Sequence, residues 1–510
     1  MVFLTVICWL AAAAPATTYY VDSVAGHDAA PGTDPNMPWR GLSRVNSRNF
    51  EPGDKILFKA GSHYDGQLTP HGSGIQGRPI VIDMYGQGPK PRIDGGGTYA
   101  ALSLTNVEYC EVNNLEITNT GPSRDKYKGV AVKIDNFGTA HHIHLKNLYI
   151  HDVNGYYNLK NYTMGIYVNN EGAGSHNTHF DGLLIENCRI VRTDRDGIVI
   201  KSDKGGAVLN QNVIIRNNII EDVAGDGIVI WDCDGAVIEG TYLNGARMRV
   251  SDRAAGIWPY RCVNTLIQGN EVCNVKGTLD GQSFDSDRHC HNTTFQYNYS
   301  HDNDGGFLLI MGDDNSNNTV RYNISQNDGA RIFQFGGPTR DNKIYNNTIY
   351  IRKGMSVLAV QLAYYLGDYP INTHFYNNIF YADGELRYLL EGSHNTIFEN
   401  NLFYGTHRNR PSDPQILTED PLFLAPGSGD IGRDSAAGYK LRPTSAAIKS
   451  GKIIPDNGGR DYWANAVPAA APPTRGACEF SSSSDFNNDG VINFLDFSVL
   501  IRPPLFDPLK

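Results

Sequence analysis

Positive charge is scarce in this chain. Its 510 residues carry 44 Lys and Arg against 54 Asp and Glu, a formal net charge of −10. Because binding to nucleic-acid phosphates requires a basic face, this balance argues against nucleic acid as a partner. No stretch after residue 16 is apolar enough to cross a membrane, so no membrane span is predicted. The chain also lacks a helical apolar period between its glycine-rich turns, which points away from a helical architecture.

The N-terminal apolar run, residues 2–14, is too short to span a bilayer and ends in Ala14-Pro15-Ala16, a small-x-small cleavage pattern. We interpret residues 1–16 as a signal peptide, although no Lys or Arg precedes the run. The prediction is therefore an exported protein, extracellular or periplasmic, that is monomeric.

A short motif restarts about every 23 to 32 residues between residues 164 and 361, and a period of that size is typical of stacked repeats. Short β-branched runs with paired asparagines separate the restarts. They predict an all-β fold, a right-handed parallel β-helix. The restarts read MGIYV at 164, DGIVI at 196, DGIVI at 226, AGIW at 255, DGQSF at 280, GGFLL at 305, DGARI at 328 and KGMSV at 353.

The ends of the repeat region carry a family resemblance. The motifs YVD at 20–22 and PGDKILF at 52–58, with the stretch 32–39, resemble the N-terminal signature of secreted bacterial right-handed β-helix proteins that act on polysaccharides. Near the other end, DPLF at 420–423, LRPTSAAI at 441–448 and GACEF at 476–480 resemble the segment that closes such helices. The resemblance implies a polysaccharide substrate. We expect an N-terminal cap with the first coils at 17–98, the β-helix at 99–405, and a closing segment and linker at 406–480.

A different module is predicted at 481–510. Oxygen donors stand at positions 1, 3, 5, 9 and 12 of a calcium loop, with Gly490 at the sharp turn and the main-chain carbonyl of Val491 at position 7. The side-chain donors are Asp485, Asn487, Asp489, Asn493 and Asp496. The module resembles one of the two duplicated segments of a dockerin, which implies a cohesin-type scaffold as partner. Only one such segment is present, so calcium is the cofactor that the loop itself predicts.

Removing Cys8 with the signal peptide leaves seven of the eight cysteines, an odd number that cannot pair completely within one chain. Cys233 and Cys262 follow their repeat glycines at the same offset, so they should stack on adjacent coils. Either a disulfide or a ladder of buried thiols fits that spacing.

Side chains alternate between core and solvent along a strand, so the second and fourth positions after each repeat glycine should face outward. This count predicts exposed aromatic side chains at Trp231, Trp258 and Tyr260, a surface suited to stacking sugar rings. The second-position row contains Trp258 and ends in Leu308 and Arg331. The fourth-position row contains Trp231, Tyr260 and then Asp285, and ends in Ile310 and Phe333. Lys201, Arg261 and Arg288 are candidate substrate contacts beside these rings.

Paired carboxylates suggest the chemistry. Asp285 and Asp287 alternate on one strand, so both should project from one face, roughly 7 Å apart. Such a pair suits glycoside hydrolysis by a retaining or an inverting route. Asp226 is a third candidate, although Asp196, Asp226 and Asp280 each precede a glycine, which is first a turn signal.

Other interpretations stay open. A calcium-assisted polysaccharide lyase would need a nearby base, and Lys201, Arg261, Lys276, Arg288 and His289 are the candidates. A non-catalytic carbohydrate-binding or adhesin solenoid would keep the aromatic row without needing the acids. His289, His291 and His301 have weak spacing for a zinc site. The sequons mostly fall in asparagine-rich turns, where stacked amides can hydrogen-bond from coil to coil.

Overall fold

The computed structural model describes residues 15–158, 162–171, 177–203 and 205–480. The predicted calcium loop with its ligands Asp485 to Asp496, the sequon at Asn161 and nearly all of the predicted signal peptide lie outside these residues. Within the described part, no helix is long and apolar enough to cross a membrane.

The chain winds into a parallel β-helix whose coils present three faces, which confirms the predicted fold. Every pairing between named strands is parallel, and each strand pairs with its counterparts on the neighbouring coils. The first face consists of β1 (Thr18–Val21), β2 (Lys55–Lys59), β4 (Ile80–Tyr85), β7 (Cys110–Asn113), β10 (Thr139–Lys146), β13 (His179–Glu186), β16 (Asn210–Arg216), β19 (Cys233–Asp234), β20 (Val237–Glu239), β23 (Leu266–Gln268), β26 (Thr294–Gln296), β29 (Thr319–Arg321), β32 (Arg340–Tyr345), β35 (Ile371–Tyr376) and β37 (Ile397–Glu399).

The second and third faces join through one long strand, β36, which pairs with a strand of each. The second face consists of β3 (His63–Asp65), β5 (Arg92–Asp94), β8 (Glu116–Thr120), β11 (Tyr149–Asn154), β14 (Arg189–Thr193), β17 (Ile219–Val223), β21 (Tyr242–Asn244), β24 (Glu271–Cys273), β27 (Tyr299–His301), β30 (Ile324–Gln326), β33 (Thr348–Ile351), β36 (Ile379–Leu389) and β38 (Leu402–Arg408). The third face consists of β6 (Ala100–Thr105), β9 (Lys128–Asp135), β12 (Met164–Glu171), β15 (Asp196–Ser202), β18 (Ile228–Trp231), β22 (Ile257–Tyr260), β25 (Gln282–Ser286), β28 (Gly306–Met311), β31 (Arg331–Gly336) and β34 (Ser356–Ala363).

The core consists of inward-pointing side chains stacked coil upon coil. Along the third face, one such row pairs Ile228 with Ile257, Ile257 with Phe284, Phe284 with Leu308, and Leu308 with Phe333. All five side chains are fully buried. Burying an aliphatic or aromatic side chain of this size contributes about 1.5–3 kcal/mol, so the repeated rows are the main stabilising term.

An asparagine ladder runs up one corner of the coils. Each Nδ2 donates to the Oδ1 of the next asparagine at 2.9–3.1 Å, through Asn270, Asn298, Asn323, Asn347, Asn378 and Asn401. Each amide also donates to a main-chain carbonyl of the preceding coil. The sequon asparagines Asn298 and Asn323 belong to this ladder, which confirms their interpretation as turn chemistry.

The two ends of the stack are covered differently. Near the N-terminus, Trp39 is buried and its ring lies 4.9 Å from that of Tyr19, while the short α-helix α1 (Leu42–Asn46) buries Leu42 and Val45. At the other end, Asp413 accepts the last ladder hydrogen bond from Asn401 at 3.0 Å. The chain then packs back along the second face rather than only closing the end, through a cluster in which Tyr439 contacts both Tyr350 and Phe423. A 3₁₀ helix, Arg433–Tyr439, belongs to this return segment.

The cysteines form no disulfide among the described residues, and all seven described thiols are buried. Cys233 and Cys262 do stack on adjacent coils, with the main-chain N of Cys233 donating to Sγ of Cys262 at 3.4 Å. The thiol ladder, and not the disulfide, is the alternative that the structure adopts.

The asparagine ladder predicts a position-dependent stability loss. Replacing Asn323 by Ala removes the partner of the buried Asn298 amide and should lower the free energy of unfolding by about 2–4 kcal/mol, because buried polar groups lose their hydrogen bonds. Chemical denaturation followed by circular dichroism measures the change. Asn154→Ala is the matched control, since its amide bonds Thr120 at an exposed site. Equal losses in both variants would contradict a special role for the ladder.

Candidate active site

An acidic groove lies on the third face, where the fourth and fifth coils of the repeat region meet the turns that precede them. Its volume is about 260 Å³. The lining residues are Asp226, Arg253, Ala254, Ala255, Trp258, Tyr260, Asp280, Asp285, Asp287, Arg288 and Met311. Four carboxylates, two arginines and two aromatic rings therefore share one concavity, the arrangement expected of a small-molecule or saccharide site.

The register between β22 and β25 places Asp285 and Asp287 beside two aromatic rings. Ile257 pairs with Phe284, so Asp285 lies beside Trp258 and Asp287 beside Tyr260 on adjacent coils. The main-chain N of Asp287 donates to the Pro259 carbonyl at 3.1 Å, which continues this register beyond β25. Both acids project outward, as the alternation predicts.

The outward-facing rows predicted from the glycine count were partly wrong. Counting from glycines aligned Asp285 with Tyr260, whereas the strand pairing aligns it with Trp258. Asp280 and Gly281 both have positive φ, 63° and 78°, so the turn admits two more residues before the core position is reached at Phe284. Counting from the next two repeat glycines, Gly306 and Gly329, likewise placed Leu308, Ile310 and Phe333 outward. All three are fully buried in the core, and Leu309 takes the position next to Asp285.

The predicted site residues divide into two groups. Asp226, Asp285, Asp287, Trp258, Tyr260 and Arg288 line the groove. Three others lie outside its lining: Trp231 is on the coil before Trp258, Lys201 is one coil earlier still, and Arg261 directly follows Tyr260. The Trp231 ring lies 5.0 Å from that of Tyr260, so it extends the aromatic surface. Arg261 is engaged by Asp232, with Nε and Nη2 donating to its carboxylate at 2.6 and 2.8 Å.

Sequence reasoning gave too little weight to Asp280 and missed Arg253 and Met311. Asp280 precedes a glycine, and that Asp-Gly pair reads as a turn signal whether or not the acid has another role. Arg253 stands in a loop between strands, where no periodicity fixes its position. Met311 joins the groove through the register of β28, in which Ser286 pairs with Ile310 and Met311 therefore follows beside Asp287.

Asp226 holds other groups in place. Its Oδ1 accepts hydrogen bonds from Nε1 of Trp258 and from the main chain of Ala255, both at 2.8 Å. Its Oδ2 lies 3.3 Å from Nη2 of Arg195, a guanidinium that is fully buried. Burial raises the pKa of Asp226, and the charge of Arg195 opposes that rise. With both oxygens engaged, Asp226 orients the Trp258 ring.

The surroundings of Asp285 differ from those of Asp226. Burial raises its pKa well above the usual range, and the charges of Asp287, Asp280 and Asp226 add to the effect. Its Oδ1 is buried and has no hydrogen-bond partner among the described residues. A buried, unpartnered carboxyl that faces a groove is available to a ligand, and its raised pKa favours the protonated form, which can donate a hydrogen bond.

Asp287 and Asp280 differ in what surrounds their charges. Burial raises the pKa of Asp287, but the main chain of Arg288 donates to its Oδ1 at 2.7 Å, and the charges of Arg288 and His289 oppose the rise. Burial raises the pKa of Asp280 to about 6; Arg253 opposes this, while Asp226 and Asp287 add to it. One acid poised near neutrality beside another that is supported as the anion is the arrangement that acid–base catalysis needs.

The three histidines considered for zinc do not form one site. His289 and His291 approach Asp314, at 4.0 and 3.6 Å. His301 lies on β27 of the second face, where it contacts Glu271 and Asp302.

Comparison with known proteins supports the assignment of the fold as a parallel β-helix. The family described as "Right handed beta helix region" matches residues 93–272. A crystal structure titled "The complex structure of XylC with xylose" superposes with a TM-score of 0.54 over 91% of this chain and 98% of the other, at 12% identity, which speaks for the fold alone. The protein has a right-handed parallel β-helix fold.

Two proteins of higher sequence identity to this chain are both lacto-N-biosidases. The chain is 29% identical over 589 aligned positions to a lacto-N-biosidase of Bifidobacterium longum subsp. longum, covering 91% of this chain. It is also 29% identical to the GH136 lacto-N-biosidase of Eubacterium ramulus, with a TM-score of 0.58 over 66% of this chain. The chain spans 36% of the Bifidobacterium protein and 64% of the Eubacterium protein.

The raised pKa of Asp280 predicts a pH-dependent stability. Between its unfolded pKa near 3.8 and its folded pKa of about 6, the folded state holds a proton that the unfolded state has lost, so stability falls as pH rises. Asp280→Asn removes this cost and should raise the free energy of unfolding at pH 7 by roughly 1–3 kcal/mol. At pH 4 the variant and the wild type should unfold alike. Denaturation at both pH values checks this, and a pH-independent difference would contradict it.

Proposed function

We propose that the protein is a glycoside hydrolase whose active site is the acidic groove of the third face. The observation that carries the proposal is the convergence of Asp280, Asp285 and Asp287 beside Trp258 in one groove. Glycosidic bonds are usually cleaved by two carboxyl groups, one that donates a proton and one that acts as nucleophile or base. The similarity to two lacto-N-biosidases supports the same reaction class.

The surroundings of each acid suggest its role. Asp280, with its pKa near 6, is suited to protonate the leaving oxygen. Asp287 receives a main-chain hydrogen bond and two nearby positive charges, so it is suited to act as the anion, either attacking the sugar or activating water. Asp285, whose raised pKa favours the protonated carboxyl, is suited to donate a hydrogen bond to a sugar hydroxyl, or to serve as the acid in place of Asp280.

The substrate is proposed to be an oligosaccharide or polysaccharide that stacks on the aromatic surface. Trp258 and Tyr260 line the groove, and Trp231 continues the surface by one coil. The shared name of the relatives makes lacto-N-biose glycosides the first substrates to test. Export and calcium binding by residues 485–496 stay predictions.

The lyase alternative has less support because both cations that line the groove are guanidinium groups, which are poor bases. β-Elimination requires a group that takes a proton from a sugar carbon, and the groove cations are Arg253 and Arg288. Guanidinium groups stay protonated in proteins. Burial acts to lower the pKa of Arg288, but Tyr365 and Asp287 act in the opposite direction, and the pKa is raised overall.

A substrate panel tests the proposal directly. The purified protein should release reducing ends from a lacto-N-bioside or another glycan in the panel, without the ultraviolet absorbance of unsaturated uronates. Asp287→Asn and Asp280→Asn should each lower kcat by about 10²–10⁴, as expected on loss of an acid, base or nucleophile. Asp285→Asn separates the two assignments, because a loss as large as that of Asp287→Asn would make Asp285 the acid and Asp280 a turn residue.

The matched control is Asp181→Asn on the first face, which should leave turnover unchanged. Uronate absorbance would overturn the hydrolase in favour of the lyase. Binding without turnover across a broad panel would favour the non-catalytic solenoid.

The pH profile is a separate prediction. If Asp280 must be protonated to act as the acid, kcat/KM should fall above about pH 6 as that proton is lost. The acidic limb should report protonation of Asp287. Initial rates from pH 4 to 9 measure both limbs, and residual activity of Asp280→Asn should lack the alkaline one. An alkaline limb that persists unchanged in this variant would exclude Asp280 as the acid.

A further inference from the structure

A second cluster of reactive side chains lies on the second face, away from the groove. Glu271 and Cys273 flank the core residue Val272 on β24, so both point outward. On the next coil, His301 of β27 pairs in register with Cys273. The strand alternation and the stacking of coils thus place a carboxylate, a thiol and an imidazole side by side.

The donor atoms of the three side chains lie within 4.8 Å of one another. Nε2 of His301 and Oε1 of Glu271 are 3.3 Å apart. Zinc bonds of 2.0–2.3 Å in a tetrahedron require ligand atoms separated by roughly 3.3–3.8 Å. The Glu271–His301 edge therefore already has tetrahedral spacing, and Cys273 lies close enough to complete the face.

Two further groups hold the ligands in the orientation that a metal needs. Nδ1 of His301 lies 3.0 Å from Oδ2 of Asp302, which leaves Nε2 directed at Glu271. A carboxylate on the distal nitrogen is the usual outer partner of a zinc-bound histidine. The main-chain N of Gly432 donates to both oxygens of Glu271 at 2.8 and 3.0 Å.

Glu271, Cys273 and His301 are all buried, with the histidine 4% exposed. The neighbouring coil adds Tyr242, which pairs in register with Glu271. A closed, protein-lined site of Cys, His and Glu with a phenol or water completing the shell has the donor set of zinc rather than calcium or magnesium, which prefer oxygen alone.

We propose that Glu271, Cys273 and His301 bind one structural zinc ion. On binding, Cys273 loses its thiol proton to solvent and coordinates through the thiolate, while His301 coordinates as the neutral imidazole with Nδ1–H donated to Asp302. Because Gly432 holds Glu271, the ion fastens the return segment around Arg433–Tyr439 onto the second face. The site is separate from the groove, so it needs no role in turnover.

A surface cluster on the first face makes a useful contrast. Glu111, His142 and His144 also bring three donors together. There, however, Nζ of Lys146 lies 2.9 Å from Glu111, and a cation already neutralises the carboxylate. It contains no thiol and is half-buried, so it serves as the matched control.

The test is metal content and cobalt spectroscopy of the full chain. Protein produced with zinc and dialysed against metal-free buffer should retain about one zinc per chain by mass spectrometry. Protein produced with Co²⁺ in place of zinc should show a thiolate-to-cobalt charge-transfer band and the intense visible bands of tetrahedral coordination. Cys273→Ala should lose the band and the zinc, and His301→Gln should lower zinc retention at least tenfold.

His142→Gln and Cys262→Ala, outside the cluster, should keep the metal and the band. Zinc-free wild-type protein that shows no cobalt band on reconstitution would overturn the proposal, as would full zinc retention in Cys273→Ala. Should Cys273→Ala fail to fold, His301→Gln decides, since retention of both metal and band in that variant excludes the site.

Discussion

The main-chain hydrogen bonds between successive coils are the constraint on which the rest of this structure depends. Parallel pairing fixes each residue against one partner above and one below, so a side chain's neighbours follow from its place in the coil. The same register produces the core row that contains Ile228, Ile257 and Phe284, and the asparagine ladder at the corner. A ladder amide satisfies main-chain groups that the turn would otherwise leave buried and unpaired.

The groove arises where that regularity is interrupted. The turn at Asp280 and Gly281 adds two residues before the strand returns to the core, so the outward row changes from Trp258 to Asp285 in a single step. Toward the N-terminal end, the third face carries an apolar outward cluster of Met164, Val199 and Val229 with Trp231 and Trp258 packed against it. Carboxylates therefore meet an aromatic surface, and their crowding raises their pKa values through burial and mutual repulsion.

The faces of the β-helix are used differently. The return segment after Asp413 covers the second face with Phe423 and Tyr439, and it buries the polar cluster of Glu271 and His301 there. The groove of the third face stays accessible at its mouth. The second face is thus covered by the chain's own C-terminal part, whereas the groove of the third face is open, and the two sets of titratable residues lie apart.

The sequence by itself determined the fold class, because a short repeat of glycine turns and β-branched runs, without a helical apolar period, favours stacked coils of strands. Alternation alone also directed Asp285 and Asp287 outward, and it put Trp258 and Tyr260 on the same face. Only the tertiary structure decided which coil position each acid occupies, since an Asp-Gly pair does not reveal how many residues its turn contains. For that reason Ile310 and Phe333 proved to be core residues, and Asp280 entered the groove. The role of Asp226 likewise depended on Arg195 and Trp258, residues 31 or 32 positions away in sequence that come into contact only when the coils stack.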